Sequence, residues 1–123
     1  MKITAIKAQL KDQNRVSVFV DGTYSFSLNL DELLAEKLKK DTELSEPELD
    51  RLKKVSTDGK ARARALEWCL MRPRSLTELR LYARRKKLDA ELLGSLETEF
   101  VEKGYIDHLR FAQWLADVRR RSN

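Results

Sequence analysis

Arg15-Val16-Ser17-Val18-Phe19-Val20-Asp21-Gly22-Thr23-Tyr24-Ser25-Phe26-Ser27-Leu28 reads as two strands around a tight turn. Val16, Val18 and Val20 alternate with Ser17 and Phe19, and Tyr24, Phe26 and Leu28 alternate with serines. Asp-Gly between alternating runs predicts a type I′ hairpin, because that turn needs positive φ at both centre residues. The apolar face with Tyr24, Phe26 and Leu28 must pack against something. Upstream, Ile3 to Gln9 is a weaker strand, and its pairing would give a three-stranded sheet, since a lone hairpin is marginal in water. Downstream, Asn29-Leu30-Asp31-Glu32 has the pattern of a capping box with an acid-rich first turn. The apolar period changes there from strand to helix, and a short helix to about Lys40 turns Leu33, Leu34 and Leu38 inward.

Everything further along is helical. Ser45 with Glu48 makes a second capping box, followed by Leu49, Leu52 and Val55 at helical spacing. Gly59 is a point of interruption or termination, after which Ala61, Ala65, Leu66, Cys69 and Leu70 resume the stripe. Arg72-Pro73 stops it, because the residue before proline leaves the α region. Ser75 with Glu78 is a third capping box, before Leu76, Leu79, Tyr82 and Ala83. Asp89 caps a helix with Leu92, Leu93, Leu96 and Phe100, and Gly104 stands where a C′ glycine belongs. Asp107 caps a last helix with Phe111, Leu115 and Val118 inward. The expected fold is α+β, mainly α: a β-hairpin or three-stranded module with a short helix over 1–44, then a helical repeat region over 45–123. Within the latter, a three-helix repeat covers about 60–103 and the first helix of a second repeat covers 105–123. Arg64-Ala65-Leu66-Glu67-Trp68 is echoed 46 residues later by Arg110-Phe111-Ala112-Gln113-Trp114, an offset typical of helical repeats.

Composition narrows the classes. The 123 residues hold 41% hydrophobic and 37% charged side chains, which points to charge-covered helices around a modest core. One cysteine excludes an intramolecular disulfide, and one histidine with one cysteine cannot close a structural zinc site. No apolar run approaches a membrane span, and the N-terminus has no signal-peptide core, so a cytoplasmic location is expected. The net charge of +5 is uneven. Residues 1–58 carry 10 basic and 11 acidic side chains, whereas 59–123 carry 15 basic and 9 acidic. Most arginines lie in the second stretch, and their planar donor forks suit phosphate and carboxylate.

No catalytic constellation is evident, and no metal or cofactor is expected. His108 reads as a surface residue at a helix start, Cys69 as a core thiol on an apolar stripe, and Asp107 as a cap. No glycine-rich phosphate loop is present. Binding features are stronger. Arg80, Arg84 and Lys87 fall at i, i+4 and i+7 along one helix, and Arg85 and Lys86 widen that stripe. Arg72 and Arg74 flank the preceding turn, and Arg119, Arg120 and Arg121 close the sequence. Trp68 and Trp114 read as packing residues. These features suit a protein or nucleic-acid binder, and a stand-alone helical DNA-binding module is the alternative from another class.

Two segments resemble the RecX family, regulators of the bacterial RecA recombinase. One is Ala65-Leu66 leading to Arg72-Pro73-Arg74-Ser75 and Glu78-Leu79. The other is Gly104-Tyr105-Ile106-Asp107 with Arg110-Phe111-Ala112 and Trp114. Arg15-Val16-Ser17-Val18 and Val20-Asp21-Gly22 resemble the N-terminal extension of some members. The resemblance implies three-helix repeats that lie along the RecA–DNA filament and that inhibit strand exchange and ATP hydrolysis; the lack of a long apolar run separately predicts no membrane association. Carried over, Arg72, Arg74, Arg80, Arg84, Arg85, Lys86, Lys87, Arg119 and Arg120 are candidate contacts to RecA or to single-stranded DNA within the filament. Trp68, Tyr105, Phe111 and Trp114 would pack repeat against repeat. The family usually continues through further repeats, so a short or C-terminally truncated form is implied, whose last helix would dock on the first repeat or self-associate. Lys87 stands where the family often has glycine, so a left-handed helix cap is not expected there.

Overall fold

The alternating runs form strands β2 (Arg15–Val20) and β3 (Thr23–Asn29), and Ile3–Ala8 forms β1. A computed structural model of the chain describes residues 1–122. The three strands make an antiparallel sheet in the order β1-β2-β3. Asp21 and Gly22 have φ of 49° and 85°, and Val20 pairs with Thr23, which is the two-residue turn that Asp-Gly predicts. Val18 pairs with Phe26 but Phe19 pairs with Tyr24, so Ser25 is a bulge. A one-residue insertion reverses the alternation beyond it. Tyr24 is therefore not inward with Phe26 and Leu28, as the alternation implied. It is 53% exposed and meets the Phe19 ring edge to face, with centroids 6.1 Å apart.

The remaining elements are α1 (Leu30–Glu36), α2 (Glu46–Leu70), α3 (Leu76–Arg85), α4 (Ala90–Glu102) and α5 (His108–Ser122). The capping boxes form as their residues predict. Asn29 Oδ1 accepts from the Glu32 N–H at 2.7 Å while Glu32 Oε1 accepts from the Asn29 N–H at 2.8 Å. Ser45 with Glu48, and Ser75 with Glu78, make the same reciprocal pairs. Asp89 accepts from the Leu92 N–H, and Asp107 from the N–H groups of Leu109 and Arg110. The first helix ends at Glu36, short of Lys40, because Lys37 turns left-handed at φ 54°. Gly59 does not break α2, which runs unbroken from Glu46 to Leu70. A Cβ at Gly59 would strike the Glu32 carboxylate, so the bare backbone there accommodates the cap of α1.

Two compact units divide the chain, Met1–Lys60 and a second from Ala61 onward. The first buries Ile3, Val16, Val18, Val20, Phe26, Leu28, Leu44, Leu49 and Leu52. The sheet core thus takes in Leu49 and Leu52 from α2, residues that the sequence pattern placed with the helical region from 45 onward. In the second unit, Ala65, Cys69, Leu79, Tyr82, Leu96, Phe100 and Ile106 form the core. Burial pushes the Cys69 thiol up to about 11, so it stays protonated at neutral pH, as an inert core group does.

The end of α3 corrects one expectation. Lys87 has φ 57°, its N–H bonds to the Arg84 carbonyl, and the Leu88 N–H bonds to the Ala83 carbonyl at 2.9 Å. That is a Schellman closure built on lysine, although a left-handed non-glycine residue costs about 1–2 kcal/mol. Lys87→Gly should therefore stabilise the chain by about 1 kcal/mol, after the extra backbone entropy of glycine is subtracted. A urea titration in which Lys87→Gly unfolds at or below the wild-type midpoint would contradict the strain.

Glu99 on α4 binds Arg62 on α2 and the Lys103 ammonium on its own last turn. Hydrogen bonding to Arg62 is the main cause that holds its carboxyl down to about 2, against an ordinary 4.5. A depressed acid stabilises the fold above pH 4.5 and loses that contribution as pH falls toward 2. Both partners reach solvent, so about 1 kcal/mol is expected rather than the full linkage value. The check is the stability difference between wild type and Glu99→Gln, which should shrink between pH 5 and pH 2.

Candidate functional site on the arginine-rich helices

Arg72-Pro73-Arg74 is the connection between α2 and α3, and its two arginines grip two tryptophans. The Arg74 guanidinium lies 4.0 Å from the Trp68 ring centroid, and that of Arg72 lies 4.2 Å from the Trp114 ring. Trp68 and Trp114 are the matching positions of the sequence echo, so one turn clamps both copies. Arg74 is only 9% exposed, and its Nε donates to the Trp68 carbonyl at 3.1 Å. That carbonyl is one of the last of α2, so Arg74 also caps the negative end of the helix. Arg72 donates to the Pro73 carbonyl and forms an ion pair with Glu78. Burial raises the Glu78 carboxyl, but its bonds from Arg72 and the Ser75 N–H win, and its pKa falls below the usual range.

The α3 stripe separates into two groups. Arg80 is paired with Glu97 of α4 at 2.7 Å. Arg84, Arg85, Lys86 and Lys87 are exposed, and none of the four has a carboxylate partner among the described residues. Arg84 and Arg85 border a hollow of about 480 Å³ that is also lined by Trp68, Arg72, Arg74, Glu78 and Leu81. Behind Trp68 the buried Tyr82 ring is stacked on it, with centroids 4.5 Å apart. The cations of Arg85 and Lys86 stand about 6 Å from the Tyr82 ring. Arg64, which the sequence pattern did not single out, adds positive charge near Tyr82. Its position four residues before Trp68 was the available clue. The hollow thus presents unpaired guanidinium groups beside an aromatic stack, a surface matched to a polyanion.

Among the packing candidates, Trp68 and Tyr105 meet the core of the second unit, Tyr105 edge to face with Phe100 at 5.7 Å. Phe111 and Trp114 contact one another at 5.9 Å, and α5 has no fully buried residue. Its attachment includes Arg72 over Trp114 and a bond from Arg110 to the Gly104 carbonyl. Arg119, Arg120 and Arg121 are exposed, with Arg120 paired to Asp117. His108 is exposed. Among the described residues no cluster of His, Cys, Asp or Glu is arranged to hold a metal, and no helix is long and apolar enough to cross a membrane.

Comparisons with known proteins agree with this architecture. Residues 1–45 match the family model of the regulatory protein RecX N-terminal domain. The chain is 31% identical over 113 residues to the regulatory protein RecX of Listeria monocytogenes serotype 4b (strain F2365), covering 92% of this chain and 42% of that one. It is 30% identical over 121 residues to the RecX of Bacillus pumilus (strain SAFR-032), covering 98% of this chain and 46% of that one. A solved structure titled "Crystal structure of regulatory protein RecX" superposes with a TM-score of 0.76 at 24% identity, covering 86% of this chain and 52% of that one. That likeness carries the order of sheet and helices. The chain spans less than half the length of these curated relatives, and over nearly all of its own length, N-terminal sheet and helical region alike, it is similar to regulatory proteins of the RecX family.

Proposed function

We propose that the chain is a non-enzymatic regulator of RecA that binds the RecA–DNA filament and restrains recombinase and ATPase activity. The observation that carries this reading is the exposed, carboxylate-free cluster Arg84, Arg85, Lys86 and Lys87 beside the arginine-lined hollow. Regulation by binding needs no active site, and the relatives are named regulatory proteins. A DNA-bound partner places the working protein in the cytoplasm. Within the candidate set, Arg84, Arg85, Lys86 and Lys87 are the contacts; Arg72, Arg74 and Arg80 support them by position, and Arg119 and Arg120 extend the basic surface.

The test is inhibition of RecA strand exchange and ATP hydrolysis by Arg84→Glu/Arg85→Glu. Each reversal adds repulsion as well as removing attraction, so inhibition should fall about tenfold or more with the fold unchanged. Undiminished inhibition would remove this face from the interface. If the chain instead bound naked duplex as well as filament, with steep salt dependence, the stand-alone DNA-binding reading would stand in its place. The half-covered Phe111, Leu115 and Val118 face of α5 also supports self-association, which sedimentation across a concentration series would reveal.

A further inference from the structure

The solvent face of the N-terminal sheet has a composition that the helical site does not explain. Cross-strand partners share a face, so the register places Ala5, Lys7, Arg15, Ser17, Phe19, Tyr24, Ser27 and Asn29 on one side of the sheet, with Ser27 itself buried and bonded to Arg15. None of these positions is acidic, although the unit as a whole is rich in carboxylates. The bulge at Ser25 is what turns Tyr24 out beside Phe19 instead of into the core. Lys7 Nζ stands 5.1 Å from the Phe19 ring centroid, and Arg15 lies across the same face, bonded to Ser27. Tyr24 is exposed and Phe19 half-buried, with the small neighbours Ala5 and Ser17 beside them.

We infer that this face binds single-stranded nucleic acid, with Phe19 and Tyr24 stacking on unpaired bases and Lys7 and Arg15 meeting the phosphates. Every base offers a π face, so two adjacent aromatics and two cations on one side of a sheet give sequence-tolerant binding to a few nucleotides. A duplex buries its bases and does not offer them to such a platform. A protein partner is the other occupant of an aromatic face, but a surface with two cations, two aromatics and no acid favours a strand with alternating bases and phosphates. The site lies on a different unit from the Arg84–Lys87 cluster and stands independently of it.

The test is fluorescence polarisation of the full chain with a labelled twelve-nucleotide oligothymidine and with an abasic strand of equal length. Tyr24→Ala removes an exposed side chain, so the fold should survive, which circular dichroism checks. Expected is about a tenfold weaker affinity for oligothymidine, with little change for the abasic strand, because only stacking is lost. Lys7→Gln should weaken both strands and lower the salt slope by about 0.7. Arg84→Glu/Arg85→Glu serves as the comparison: if it alone abolishes binding while Tyr24→Ala and Lys7→Gln bind as wild type, the sheet site is refuted and the helical site stands. If the sheet variants keep oligonucleotide binding but lose binding to RecA protein without DNA, the occupant is a protein and the inference is likewise overturned. Loss of RecA inhibition in the helical variant with intact, Tyr24-dependent strand binding would support the sheet site regardless of the fate of the regulatory reading.

Discussion

Phe100→Ala is expected to destabilise the second unit by about 3–5 kcal/mol. Phe100 is fully buried and the largest side chain in that state. It sits among Ala65, Cys69, Leu79, Tyr82 and Leu96 and meets Tyr105 edge on. Two of these neighbours are small and have nothing to extend into a cavity. The helices around it are pinned by the Ser75 and Asp89 caps, which resist the collapse that would soften the loss. Urea unfolding followed through tryptophan emission reads this unit, since Trp68 and Trp114 both lie beyond residue 60. Val101→Ala is the contrast one residue away. Val101 is 43% exposed, and its loss should stay within about 0.5 kcal/mol. Equal midpoints for the two variants would mean that the core is not packed as described.

The sequence was legible wherever a rule is local. Each Ser or Asn with Glu three residues on formed its reciprocal cap, because both partners lie within one turn and no distant residue decides the outcome. Asp21-Gly22 made its turn for the same reason. What failed to show was set by neighbours far along the chain. The Ser25 bulge depends on how β3 pairs with β2, and two-residue alternation alone does not reveal an extra residue. Gly59 looked like a helix stop, but its role is to let α2 pass the Glu32 carboxylate. Lys87 took a left-handed conformation despite its side chain because Leu88 packs into the second core and the closure comes with it. The candidate site was legible as a region and not as roles. Spacing placed Arg72, Arg74, Arg80 and Arg84 near one another, yet which of them is already engaged depends on Trp114, Trp68 and Glu97, at sequence distances that no periodicity predicts.

Arg74→Ala is the second large effect, at about 2–3 kcal/mol of stability. The loss combines a charged hydrogen bond to the Trp68 carbonyl with a cation lying over the Trp68 ring, in a side chain that is 9% exposed. Burial, with the nearby Arg72 charge, already holds the Arg74 guanidinium below its ordinary pKa, so the contacts of that cation with Trp68 must offset the cost of burying it. Lysine should not substitute, because it cannot lie flat on the indole and donate sideways at once. Arg74→Lys is therefore expected to recover less than half of the lost stability. Chemical denaturation checks this, with Arg84→Ala as the control that should change stability by under about 0.5 kcal/mol. The pair also separates two ways of losing RecA inhibition. Arg74→Ala would lose it in step with unfolding and regain it at lower temperature, whereas the Arg84→Glu/Arg85→Glu protein would lose it while fully folded. Stability in Arg74→Ala equal to wild type would return Arg74 to the set of free contact residues and leave the Trp68 end of the clamp without a role.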